Sequence, residues 1–158
     1  MGLGPIDALA GAGGDRPVRE LDPERPEHWE DLRRAPVLGL DLESDNFHRY
    51  SEKVCLAQLS TPDCDWLFDP LAHGLPDALA SELGRSDREI ILHAAENDVR
   101  ALARDFGTRL GRIFDTALAA RILGLPAFGL GDLLEGELGV VIDKEIGRAS
   151  CRERVSFT

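Results

Sequence analysis

Two carboxylates stand two residues apart at the end of an apolar run, Pro36-Val37-Leu38-Gly39-Leu40-Asp41-Leu42-Glu43-Ser44. A strand turns alternate side chains to the same side, so a strand here projects Asp41 and Glu43 together from its C-terminal end. Like charges at that spacing repel and raise at least one pKa, unless a cation sits between them. A strand that simply ends in polar residues accounts for the same pattern equally well. Two further acids follow positions where a strand should end. Asp98 falls in the first turn and a half of a helix after a strand closing at His93, and Asp115 directly follows Arg112-Ile113-Phe114. In an α/β sheet, active sites gather at the carboxyl ends of parallel strands. Carboxylates suit hard cations such as Mg²⁺ and Mn²⁺, and no cluster of Cys or His competes for a softer metal. Two such ions about 3.5–4 Å apart clamp the attacking and leaving oxygens of a phosphodiester. Each acid also has a local explanation. Asp115 suits a helix N-cap, Asp98 an exposed first-turn position favoured by the helix dipole, and Asp69 and Asp132 a turn and a helix start. His93 reads as a buried histidine at a strand end.

The elements that would position these groups follow from hydrophobic period and punctuation. Residues 1–22, rich in Gly, Ala, Pro and Asp, read as a flexible arm. Pro26 to Arg34 reads as a helix, with Pro26 and Glu27 suited to its start and Arg33 and Arg34 to its end. Strands are expected at Val37–Glu43, Lys53–Ser60 and Trp66–Asp69, and their short separations predict an antiparallel meander. The pattern then changes to alternating helix and strand. Helices are expected over Leu75–Leu83, Ala94–Phe106, Thr116–Leu123 and Gly129–Leu138, with strands at Glu89–His93 and Arg112–Phe114. In the second helix Val99, Leu102, Ala103 and Phe106 form the apolar stripe. The expected fold is α/β, a mixed sheet flanked by helices.

The 158 residues suffice for one domain with a core, and the composition, 43% hydrophobic and 30% charged, is that of a globular protein. No apolar run approaches the roughly 20 residues of a membrane span, and the N-terminus shows no secretory pattern. Cys55, Cys64 and Cys151 form no metal-ligand spacing and read as reduced thiols of a cytoplasmic protein. The net charge of −11 argues against coating nucleic acid by bulk electrostatics. It does not exclude a nuclease, since bound divalent ions reverse the field of an acidic site. Arg100, Arg104, Arg109, Arg112 and Arg121 could supply a local phosphate patch or a solvated helix face. From about Glu145 the chain loses periodicity and concentrates arginine. The native frame is expected to end near Lys144, with 145–158 a foreign tail.

Several motifs now fall in one order. They are Asp41-Leu42-Glu43, then His93-Ala94-Ala95-Glu96-Asn97-Asp98, then Phe114-Asp115-Thr116-Ala117-Leu118-Ala119. This order resembles the ribonuclease D group of the DEDD 3′–5′ exonuclease superfamily. Cys55-Leu56-Ala57-Gln58-Leu59 is similar to that family's second strand, and Phe68-Asp69-Pro70-Leu71 to the end of its third. The stretch from Leu130 to Lys144 is similar to the segment before its last motif, so the likeness spans about Trp29 to Lys144. The resemblance implies a ribonuclease H-like fold and two divalent ions, Mg²⁺ or Mn²⁺. It implies removal of nucleoside 5′-monophosphates from single-stranded RNA 3′ ends. By motif, Asp41 would bridge both ions, Glu43 would bind one ion and help place the attacking water or the 3′-terminal hydroxyl, and Asp98 would support the second ion directly or through water. Phe47 would sit near the terminal base or sugar, or serve as a core residue. Asp115 is not among the family's four acids and is taken as structural.

The family also needs a Tyr-x-x-x-Asp or His-x-x-x-Asp motif beyond the equivalent of Lys144. Tyr50 is the only tyrosine, no histidine follows His93, and the last aspartate is Asp143. The domain is therefore expected to be incomplete at its C-terminus and weakly active or inactive. Two other readings stand beside the RNA exonuclease. One is a non-catalytic nucleic-acid-binding or interaction module on the same fold. The other is a DNA-directed 3′–5′ exonuclease, which uses the same acids and differs in contacts to the 2′-hydroxyl.

Overall fold

The computed structural model describes residues 16–44 and 52–141. Among them, six strands form one sheet. The strands are β1 (Val18–Glu20), β2 (Val37–Ser44), β3 (Val54–Ser60), β4 (Asp65–Phe68), β5 (Glu89–Leu92) and β6 (Arg112–Asp115). The helices are α1 (Pro26–Arg34), α2 (Pro70–His73), α3 (Asp77–Leu83), α4 (Glu96–Phe106), α5 (Thr116–Ile122) and α6 (Leu130–Leu138). The spatial order is β1-β4-β3-β2-β5-β6. β2, β3 and β4 pair antiparallel, as two short connections require. β5 and β6 add in parallel on the other side of β2, β5 reached through α2 and α3 and β6 through α4. This is the mixed sheet expected from the sequence, meander first and parallel strands after.

The core lies where alternate strand residues meet the helices. Leu38, Leu59, Trp66, Phe68 and Ile90 from the sheet pack with Leu32 of α1, Leu79 and Leu83 of α3 and Leu102 of α4, all buried. Proline at the first turn starts α1, and Trp29 and Leu32, three residues apart, turn to the core. On α4 the buried positions are Ala101 and Leu102, with Val99 and Phe106 packed partly against the core. Ala103 is exposed, so it does not belong to the stripe expected there. Gly107 closes α4 at φ 64°, a left-handed position that suits glycine. α6 buries none of its residues, and Ile122, Leu123 and Val141 are largely exposed.

Three expectations need correction. Val18–Glu20, placed in a flexible arm, instead form an edge strand parallel to β4. Backbone pairing, the buried Leu21 and an ion pair from Arg16 to Asp65 at 2.9 Å hold that segment against the sheet. Pro70 does more than end a strand. It opens the short helix α2, which Asp69 caps through the N–H groups of Leu71 and Ala72. Cys55 is disulfide-bonded and not a reduced thiol, because the fold and not sequence spacing decides which sulfurs meet; Cys64 is a free, buried thiol. Phe47, Tyr50, Cys151, most of the arm and the proposed tail 145–158 lie outside the described residues. No helix among the described residues is long and apolar enough to cross a membrane.

Candidate active site

β2 carries the first two acids because its residues alternate. Leu40 is buried and Leu42 packs against the core, while Asp41 and Glu43 leave the strand on the opposite side. Asp41 lies opposite Gln58 of β3, whose amide reaches Asp41 Oδ2 at the long distance of 3.5 Å, and Glu43 lies opposite Leu56. A register shift between Glu43 and Ser44 ends the regular pairing there. Asp98 comes from another element, the first turn of α4, which follows β5. Since β5 runs parallel to β2 in the neighbouring position, its C-terminal end brings that turn beside the end of β2.

Glu43 and Asp98 line one cavity of about 560 Å³ with His93, Asn97, Arg100 and Arg104. Asp41 sits beside it on the strand face of Glu43. Another cavity, of about 570 Å³, lies next to β1 among Glu20, Asp22, His28 and His73, away from the three acids. Among the described residues, no lysine or arginine forms an ion pair with Asp41, Glu43 or Asp98. Burial raises all three acids, and the charges of neighbouring acids add to the rise of Glu43 and Asp98. Burial pushes the Asp98 carboxyl up most, the charges of Asp41 and Glu43 add to it, and its pKa reaches about 6. Loss of hydration also raises Asp41, against the N–H of Leu42 and the nearby His93, which lower it. Glu43 is raised by the same loss of hydration, then by Asp41.

Asp115 behaves in the opposite way. Its carboxylate caps α5 as expected, accepting from the N–H groups of Ala117 at 2.9 Å and Leu118 at 3.2 Å. It also reaches across to the loop before α4 and accepts from Ala94 and Ala95, both at 3.0 Å. Partial burial works against its charge, but these four bonds overcome that and hold its pKa below the usual range. His93 was expected to be a buried strand-end residue, and the structure places it half-buried on the cavity wall. Its Nδ1 is 2.9 Å from Thr116 Oγ1, and that hydroxyl donates to the Leu92 carbonyl. A hydroxyl has one proton, so Nδ1–H donates to it.

The arginine patch does not form. Arg100 pairs with Glu96, Arg104 with Asp105 and Glu52, and Arg112 with Glu89, while Arg121 lies over the Phe128 ring. Only Arg100 and Arg104 border the acidic cavity. Sequence reasoning also passed over Asn97, although residues 97, 101 and 104 recur at helical spacing and mark the cavity face of α4.

Three carboxylates with no ion-pair partner among the described residues, each displaced toward protonation, have the donor chemistry that a hard divalent cation takes. The side chains are not closed around a point, however. Among the described residues, no three His, Cys, Asp or Glu side chains form a ready metal cage.

Comparison with known proteins fits this geometry. Residues 23–158 match the 3′-5′ exonuclease family. Exosome complex exonuclease RRP6 of Saccharomyces cerevisiae is 32% identical over 126 residues, which cover 79% of this chain and 17% of that protein. The catalytic core of RRP6 from Trypanosoma brucei aligns with a TM-score of 0.78 at 27% identity, over 89% of this chain and 40% of that one. Escherichia coli RNase D, an exoribonuclease involved in structured RNA processing, aligns with a TM-score of 0.78 at 25% identity, over 91% of this chain and 39% of its own. The chain spans 14–18% of the length of the first curated relatives it matches. The ribonuclease D-like resemblance and the mixed sheet are both borne out, and on the match over residues 23–158 the chain belongs to the 3′-5′ exonuclease family.

Proposed function

We propose that this chain carries the catalytic acids of a divalent-metal-dependent exonuclease that removes nucleotides from the 3′ end of single-stranded RNA. The observation that supports the proposal is the approach of Asp41, Glu43 and Asp98, from two elements, at the carboxyl ends of the neighbouring strands β2 and β5, with no ion-pair partner among the described residues. Asp41 would hold both ions, Glu43 one of them, and Asp98 the other. When bound, Mg²⁺ or Mn²⁺ would neutralise the phosphate and lower the pKa of a water molecule.

The protein's own groups then have distinct tasks. Glu43 orients the attacking water as a hydrogen-bond acceptor. The phosphorus–oxygen bond to the preceding nucleotide's O3′ breaks, the new bond goes to the water oxygen, and the proton passes to the departing O3′. A nucleoside 5′-monophosphate leaves. His93 lines the cavity in which the terminal sugar would sit, held in place through Nδ1 by Thr116. A non-catalytic module on the same fold accounts less well for the three acids, because mutually repelling carboxylates without a cation weaken the fold.

The test uses 5′-labelled single-stranded RNA and DNA with Mn²⁺. The protein, which lacks the last-motif acid among these residues, should shorten RNA only weakly, one nucleotide at a time, and Asp41→Asn should abolish even that ladder. A ladder of equal rate in that variant would remove Asp41 from the site. No ladder together with no Mn²⁺ binding would favour the non-catalytic module, and faster shortening of DNA would move the substrate class.

A further inference from the structure

The structure assigns Asp115 a task beyond capping its own helix: it is a positioning residue that fixes the start of α4 and so places Asp98 against Asp41 and Glu43. This inference rests on the exonuclease reading of the three acids. Two N-caps in the molecule show the difference. Asp69 caps α2 with bonds to Leu71 at 2.8 Å and Ala72 at 3.1 Å, and both are local. Asp115 makes the same local pair and two more to Ala94 and Ala95, about twenty residues earlier in the chain.

The extra bonds fall on the turn that matters. Ala94 has φ 55°, left-handed backbone that a non-glycine residue adopts at a cost. Ala95 is the N-cap of α4, and its own side chain cannot cap anything. The Asp115 carboxylate therefore supplies from β6 the acceptors that this turn lacks. Register makes it possible, since Leu92 of β5 lies directly opposite Asp115. The adjacent pair His93–Thr116 ties the same two segments together a second time. Asp98 is three residues past Ala95, so any tilt of the first turn moves its carboxylate directly. Displacement of a catalytic group by about 1 Å can cost about 10²-fold in rate.

The test compares Asp115→Ser, Asp115→Asn and Asp69→Ser. Serine caps a helix about as well as aspartate, but its short side chain cannot reach Ala94 and Ala95. Asparagine keeps one acceptor oxygen and places an N–H₂ against the N–H of Ala95. Mn²⁺ affinity and amide exchange at residues 95–99 are read well below each variant's melting temperature. Asp115→Ser should weaken Mn²⁺ binding about tenfold or more and speed exchange in the first turn of α4. Asp115→Asn should fall between it and the wild type, and serves alone if the serine variant does not fold. Asp69→Ser should leave Mn²⁺ affinity unchanged. Wild-type affinity and exchange in Asp115→Ser and Asp115→Asn would overturn the inference and leave the exonuclease reading intact. Absence of Mn²⁺ binding in the wild type would overturn both.

Discussion

Helix α4 carries two aspartates two turns apart, and they have opposite fates. Asp98, in the first turn, has no cationic partner among the described residues, and its pKa rises to about 6. Asp105, near the last turn, is held by Arg104 through two bonds of 2.7 and 3.0 Å, and its pKa falls to about 2. It also accepts from the backbone N–H of Val54 at 2.8 Å and lies 3.4 Å from Lys53 Nζ. Its side chain is 1% exposed, so burial alone does not separate the two residues. What separates them is whether the fold supplies donors. Asp105 is a clasp between α4 and the start of β3. Asp98 is an acid for which the described residues provide no cationic partner, and that is the property expected of a ligand for a cation from outside.

The sharpest way to break this comparison is to neutralise each residue. Asp98→Asn removes one charge from a repelling trio. It should leave the melting temperature of the metal-free protein unchanged or higher, while Mn²⁺-dependent cleavage falls about 10³-fold, or about 4 kcal/mol of barrier. Asp105→Ala should do the reverse and lower stability by about 2–3 kcal/mol, because the N–H of Val54 loses its acceptor and the helix its tie to β3. Thermal unfolding and a cleavage assay on both variants decide it. A large loss of stability in Asp98→Asn would make that residue structural after all.

How much of this was legible in the residues depends on the range of each interaction. Asp41 and Glu43 were readable because a strand's period of two needs only neighbours. Asp98 was readable through its spacing from His93 within one motif. Asp105 was not, since Arg104-Asp105 looks like any exposed helical pair and its other partners are more than fifty residues earlier. The capping bonds of Asp115 are local and were foreseen, whereas its bonds to Ala94 and Ala95 depend on which strands pair. Edge strand β1 escaped for the same reason. Val18-Arg19-Glu20 has no pattern of its own and is a strand only because β4 offers it backbone partners. Helix α2 was hidden by Pro70, which ends a strand and starts a helix with equal ease.

A change of pH should act on the two aspartates with opposite sign. A carboxyl whose pKa is raised on folding favours the folded state when protonated. The contribution of Asp98 is therefore full below its ordinary value of 3.8 and is lost as pH rises through about 6. Asp41 and Glu43 shift in the same direction. A carboxyl whose pKa is lowered acts the other way, so the contribution of Asp105 is full above 3.8 and is lost as pH falls through about 2. Metal-free protein should thus gain stability from pH 7 to about 5 and lose it below about 4. Urea unfolding across that range reads the curve, and Asp98→Asn should flatten its upper arm alone. A curve that falls steadily from pH 7 downward would show that the three acids do not repel.

The smallest effect sharpens the comparison from the side of Asp105. Lys53 approaches it at 3.4 Å, but the lysine side chain is 43% exposed. An exposed cation interacts through water, and its loss of freedom offsets part of the attraction, so such pairs contribute about 0.2–1 kcal/mol. Lys53→Gln should therefore lower stability by no more than about 0.5 kcal/mol, with the change shrinking as salt rises. If the donors Arg104 and Val54 keep Asp105 ionised, this variant leaves the acid arm of the pH curve in place. A loss as large as that of Asp105→Ala would make Lys53 the main partner, and the clasp would then be a salt bridge at the surface instead of a set of hydrogen bonds beneath it.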